Sequence, residues 1–196
     1  MDCWHENRYD NMLEALDKRP LLSTFQGNLL KEFIDEVHYE TVLDIGCGTG
    51  QVSQLIEGTY HGCDLPDIVL NVSEKSGFEG MYMGMDMETF DGSVAKNFDI
   101  VIMSAFIDVM DKPARMLSKI LKHCNRYVII HRQELTEGRT SVTQEASYGG
   151  YTNHSKINVA HFYDLIKDFK IIKEASCKYP NWEYGGHSFL LKKKVC

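Results

Sequence analysis

The chain has 196 residues, long enough to bury a sizeable core in what is most simply one domain. Its 43% hydrophobic and 25% charged content is ordinary for a globular protein, and a net charge of −7 argues against a general nucleic-acid binder, which needs a basic surface. Six scattered cysteines without a C-x-x-C pair argue against a disulfide framework and read as reduced thiols.

No basic segment precedes an apolar one near Met1, so no signal peptide is expected. The longest apolar run, Ile100 to Met110, is broken by Asp108 and is too short to span a bilayer. The expectation is a cytoplasmic protein without a membrane partner.

Residues 4–38 carry Leu13, Leu16, Leu29, Leu30, Phe33, Ile34 and Val37 at roughly helical spacing, with a break at Pro20. The β-branched run Thr41 to Ile45 then stops at Gly46, Gly48 and Gly50, and Val52, Leu55 and Ile56 predict a helix to about Glu57. Strand, tight glycine turn and helix together mark a nucleotide-type pocket at the carboxyl edge of a parallel sheet. A dinucleotide fingerprint would place its third glycine where Gln51 stands, which disfavours a nicotinamide cofactor. The next short strand ends in Asp64, 18 residues past Gly46, near the distance at which such sites set a carboxylate on ribose hydroxyls.

A third strand is expected to end at Asp86, and Asn97 to Val109 reads as a buried central strand. A helix over 113–123 presents Met116, Leu117, Ile120 and Leu121 on one face, and Tyr127 to His131 forms the fifth strand. From Arg132 to Tyr151 the chain turns polar and rich in Gly, Ser and Thr, which predicts a long loop. A helix over 158–168 and two strands, 169–175 and 187–192, complete the chain.

The pattern D-x-G-x-G-x-G at Asp44, Gly46, Gly48 and Gly50 resembles the first motif of class I S-adenosylmethionine-dependent methyltransferases, with Cys47 inside the turn. The resemblance implies a Rossmann-like three-layer αβα sandwich, a seven-stranded, mostly parallel sheet of order 3-2-1-4-5-7-6 and an antiparallel last strand. It also implies S-adenosylmethionine as cofactor and S-adenosylhomocysteine as product. Asp64 with Leu65 would then take the ribose. Asp86 would accept from the adenine amino group while the Met87 backbone faces the ring. Ser104 and Ala105 would sit beside the methionine part, next to the methyl. Asp108 to Pro113 resembles the turn that follows this strand in small-molecule members, although the frequent His is absent at position 105.

By the same resemblance, residues 1–38 form a helical cap and 132–156 a substrate lid. The implied reaction carries a methyl group to an O or N atom of a small molecule such as a sugar or secondary metabolite. An alcohol or phenol acceptor also needs a proton acceptor. His131, at a strand end, is the first candidate, with His154 and Asp108 as alternatives. No His/Asp/Glu cluster has metal-ligand spacing, so no metal is expected. The absence of a decisive catalytic residue leaves a second reading: a methyltransferase-like partner protein that binds the cofactor without turnover.

Overall fold

Five parallel strands form the centre: β1 (Thr41–Ile45), β2 (Thr59–Asp64), β3 (Met81–Gly84), β4 (Ile100–Ser104) and β5 (Tyr127–Thr136), in the order β3-β2-β1-β4-β5. The computed structural model describes residues 10, 11, 13, 14, 20–86, 89–147, 150–177 and 186–195. β1 and β4 are buried almost throughout, as strands covered on both faces must be. Asp99 pins the amino edge of the sheet. One of its carboxylate oxygens accepts from the backbone N–H of Glu40 (2.9 Å) and Thr41 (3.1 Å), and the other from Arg126 (2.6 Å).

Helix α1 (Phe25–Asp35) begins where the Thr24 side chain accepts from the Gly27 N–H. It buries Leu29, Leu30, Phe33 and Ile34 against Val42, Ile100, Ile102, Ile129 and Leu190 on one face of the sheet. It is therefore a layer of the sandwich. Leu13 packs with Ile68 and Val72, beside α2 (Pro66–Asn71), and Asp10 pairs with Lys75. The other face is covered by α3 (Pro113–Leu121) and α4 (Val159–Leu165), whose Leu117, Ile120 and Phe162 meet Val101, Met103, Val128, Ile130 and Phe189.

The last two strands, β8 (Phe169–Cys177) and β9 (Gly186–Lys193), are the expected closing pair. β9 runs antiparallel to both β5 and β8, so the expected order is realised as β3-β2-β1-β4-β5-β9-β8. Among the described residues the sheet has nine strands, two more than the seven expected. The polar stretch read as a loop continues β5 to Thr136 and then forms a hairpin of β6 (Ser141–Ser147) and β7 (Gly150–Asn158). β4 lies beside β5 as far as Ser104 and His131, and β7 lies beside it, parallel, from Glu134 to Thr136. Glu134 pairs with Gly186 of β9 on one side, which leaves β7 the side that β4 has vacated. The hairpin thus stands directly over the carboxyl end of β4.

Three other expectations are shortened. The helix after the glycine turn is a single 3-10 turn, Gln51–Leu55, because Ile56 is already extended and Thr59 must donate to Glu40 (2.8 Å) to open β2. β3 stops at Gly84, two residues before Asp86, and β4 stops at Ser104, where Ala105 turns to φ +51°. Among the described residues no helix is long and apolar enough to cross a membrane.

Phe162 is fully buried, with its ring 4.7 Å from that of Phe189. Phe162→Ala should cost about 3–5 kcal/mol of unfolding free energy by removing the plug between α4 and β9. Urea denaturation checks this, and a loss below about 1 kcal/mol would contradict the packing described.

Candidate functional site

The carboxyl ends of β1, β2 and β4 converge on the glycine turn. Gly46 (φ +77°), Gly48 (φ +53°) and Gly50 (φ +78°) all lie in the left-handed region that side chains disfavour. The N–H groups of Gly46 and Cys47 both donate to the Cys63 carbonyl (2.8 and 3.1 Å), folding the turn back onto the end of β2. The turn of chain at Ala105 lays the Phe106 ring against Gly46, where a Cβ would come within 2.4 Å of a ring carbon. The end of β4 is thereby fitted to the start of the turn.

Asp64 closes the arrangement from β2. One carboxylate oxygen accepts from the Gly48 N–H (2.8 Å) and the other from the Leu65 N–H (2.7 Å). Burial raises its pKa, and these two N–H groups oppose the rise. Each oxygen keeps a second lone pair, so ribose hydroxyls find acceptors without breaking the turn. Asp44, 1% exposed, accepts from the Tyr60 hydroxyl (2.7 Å) through one oxygen, while the other has no partner. Its pKa is pushed up to about 7, mainly by burial; the Tyr60 hydrogen bond opposes this and the Asp64 charge adds to it.

A carboxylate oxygen left without a partner beside a left-handed glycine turn would suit a cation. S-adenosylmethionine carries an ammonium and a sulfonium, and vicinal ribose hydroxyls for Asp64, so the residues present fit it. Burial drives the Cys47 thiol strongly upward, which keeps it protonated and makes it a packing group against Gly62, not a nucleophile.

The remaining expected cofactor residues are spread along the same edge. Ser104 is half-buried at the end of β4, in register with His131, and the Ala105 N–H donates to the His131 carbonyl (3.1 Å). Asp86 is exposed just past β3, which follows Asp64 in register at Gly84. Met87 lies outside the described residues.

Of the three base candidates, His131 is 3% exposed and faces the α1 side of the sheet, with Ser188. The Ser188 hydroxyl lies 2.9 Å from its Nδ1 and also accepts from the Arg132 N–H (3.4 Å). Burial, then the Arg132 charge, lowers its pKa to about 3. The ring is buried, engaged by Ser188 and weakly basic, which argues against the base role expected from its strand-end position.

His154, on β7, has Nε2 3.0 Å from Glu134 and Nδ1 2.7 Å from Glu145. Both ring nitrogens thus face carboxylates, which engages the ring in the hairpin rather than leaving it open to an acceptor.

Asp108, 7% exposed in the turn after β4, is different. One of its oxygens has no hydrogen-bond partner. Burial raises its pKa to about 6 against the charges of Arg132 and His154, and Glu134 adds to the rise.

Sequence reasoning missed Glu134, Arg132 and Lys156. Glu134 is 1% exposed at the end of β5 and pairs with Lys156 (3.3 Å) as well as His154. Ser155 ties the hairpin to this turn by donating to the Ile107 carbonyl (3.0 Å). Two surface clefts lie apart from the glycine turn: one of about 800 Å³ at the amino edge, bordered by Lys31, Tyr39 and Glu57, and one of about 490 Å³ by the start of α3. Among the described residues no group of three or more His, Cys, Asp or Glu is arranged to hold a metal.

Residues 43–128 match the family described as "Methyltransferase domain". A search of curated proteins found no match. Among solved structures, the chain is similar to magnesium protoporphyrin IX methyltransferase of Synechocystis PCC 6803 bound to S-adenosylhomocysteine, at 15% identity and TM-score 0.66 over 98% of this chain and 97% of that one. It is also similar to an amino pentose methyltransferase of Micromonospora echinaspora bound to S-adenosylmethionine (15%, TM-score 0.62, 97% and 100% covered). A third is 1,6-didemethyltoxoflavin-N1-methyltransferase of Burkholderia thailandensis (14%, TM-score 0.60, 96% and 87%).

Gly46→Ala should lower stability by roughly 1–2 kcal/mol for the left-handed backbone alone, and abolish cofactor binding as Phe106 is displaced. Urea titration and calorimetry check both. Wild-type behaviour in both would contradict the packing of β4 against the turn.

Proposed function

We propose that this chain, a class I S-adenosylmethionine-dependent methyltransferase in fold and in the sequence of its residues 43–128, methylates an O or N atom of a small molecule such as a sugar or secondary metabolite. The observation that carries the reading is the acid pair at the glycine turn, Asp44 buried and Asp64 half-buried. Asp64 holds the turn and accepts ribose hydroxyls, and the orphaned oxygen of Asp44 receives a cationic group. Asp86 is assigned to the adenine amino group, and Ser104 and Ala105 to the methionine end. Bound S-adenosylmethionine supplies a methyl activated on a sulfonium, and the chain's task is to hold an acceptor in line with it.

The proton acceptor in this reading is Asp108. It follows β4 by four residues, stands beneath the β6–β7 hairpin, and has a free oxygen whose raised pKa makes it a better base than an exposed carboxylate while it stays mostly ionised at pH 7. Arg132, Glu134, His154 and Lys156 set the field around it. The hairpin takes the place of the lid expected over 132–156 and walls the acceptor side. The amino-terminal residues around Leu13 are the proposed cap. The similarity to an amino pentose enzyme supports a small polar acceptor.

Asp108→Asn should lower kcat about 100-fold or more with S-adenosylmethionine affinity unchanged, and the wild-type rate should rise with pH through about 6. S-adenosylhomocysteine release in a screen of sugars and small phenols reads both. A wild-type rate in the variant would remove Asp108 as base.

A second pH effect follows from Asp44. Only its ionised form attracts a cation, so cofactor affinity should fall roughly tenfold from pH 8 to pH 6, and Asp44→Asn should flatten that profile. Because its folded pKa lies above the ordinary 3.8, the native state holds an extra proton between about 4 and 7. The ligand-free protein should therefore lose stability as pH rises through that window. Calorimetry across pH measures the first effect and urea unfolding the second.

A further inference from the structure

The carboxyl edge carries a second concavity that the cofactor reading does not use. It is the cleft of about 490 Å³ between the start of α3, the base of the β6–β7 hairpin and α4, a volume within the range of small-ligand sites. Its apolar surface comes from Pro113, Leu165 and Val142; Val142 is 39% exposed on the edge strand β6. Its polar lining includes Lys112, Arg115 and His161 against a single carboxylate, Asp111.

Lys112 and Arg115 make no ion pair among the described residues. Other basic residues, among them Lys96, Lys122, Arg139 and Lys170, make no ion pair either; what sets Lys112 and Arg115 apart is that both line this one cleft. Two unpaired cations beside uncovered apolar surface suit one chemistry: an apolar body ending in a carboxylate, which an arginine grips in bidentate fashion. We propose that this cleft is the subsite for the acceptor's far end, and that the acceptor is a small amphipathic carboxylate. The acceptor role rests on the methyltransferase reading.

Chain length supports it. Lys112 lies four residues beyond Asp108, so their Cα atoms are at most roughly 14 Å apart, and the 3-10 turn at Ile107–Val109 shortens that span. A ring-bearing molecule anchored at Lys112 and Arg115 is therefore long enough to reach the turn that carries Asp108. His161 and Thr140, at the rim, supply further polar contacts.

The test compares two probes of one shape, 1-naphthoate and 1-naphthylmethanol, followed by NMR at the Val142 methyls and the Arg115 amide. It is run in the wild type and in the double variant Lys112→Ser, Arg115→Ser. The expected result is that naphthoate shifts these signals and binds about tenfold more tightly than the alcohol. The double variant should lose that preference while keeping wild-type S-adenosylmethionine affinity by calorimetry. Equal affinity for the two probes, shifts confined to other regions, or an undiminished preference in the variant would overturn the proposal. Absence of S-adenosylmethionine binding alongside an intact naphthoate preference would instead overturn the methyltransferase reading, and with it the acceptor role, leaving a carboxylate site.

Discussion

The carboxylate of Asp64 is the tie on which the site depends. It is carried on a strand, and it accepts from the backbone of the glycine turn on one side and from the residue opening α2 on the other. A turn of three left-handed glycines has no side chains to hold its shape, so something outside it must fix the backbone. Asp64, the Cys63 carbonyl and the Phe106 ring do so from two neighbouring strands. The parallel order β2-β1-β4 is what brings those three groups to one place. The pocket is thus a consequence of sheet order, and the sheet order a consequence of the apolar runs in β1 and β4, which tolerate burial on both faces.

Charge is distributed in keeping with that role. Two acids lie at the turn, Asp44 buried with an unused oxygen and Asp64 half-buried, and withdrawing them from water is costly unless a cation or hydroxyl donors arrive. Around Asp108 the pattern is mixed, with Glu134 and Glu145 answered by Lys156 and His154. This second cluster joins β5, β6 and β7, so the same ion pairs that tune Asp108 hold the hairpin over the end of β4. A cluster of this kind is sensitive to the loss of any one member, because each remaining buried charge is then left unanswered.

Much of this was legible in the sequence, and what was not has physical causes. Continuous apolar runs such as Ile100 to Met103 admit only a central strand, and glycines at every second position fix the turn. The hairpin was not legible because β6 is an edge strand with Ser141, Thr143, Gln144 and Glu145 exposed, so the hydrophobic alternation that marks a strand is missing. Glu134 is polar yet buried, which no hydrophobic pattern signals; its partners come from 20 and more residues downstream. His131 misled for a related reason. Position at a strand end suggests the pocket, but side-chain alternation turns this ring to the α1 face and onto Ser188.

The central claim is that the glycine turn, Asp44 and Asp64 bind S-adenosylmethionine. Calorimetric titration of the protein with S-adenosylmethionine and with S-adenosylhomocysteine tests it most directly. One-to-one binding of both, weakened in Asp64→Ala, is the predicted result. No binding of either molecule across pH 6–8 would contradict the account at its foundation.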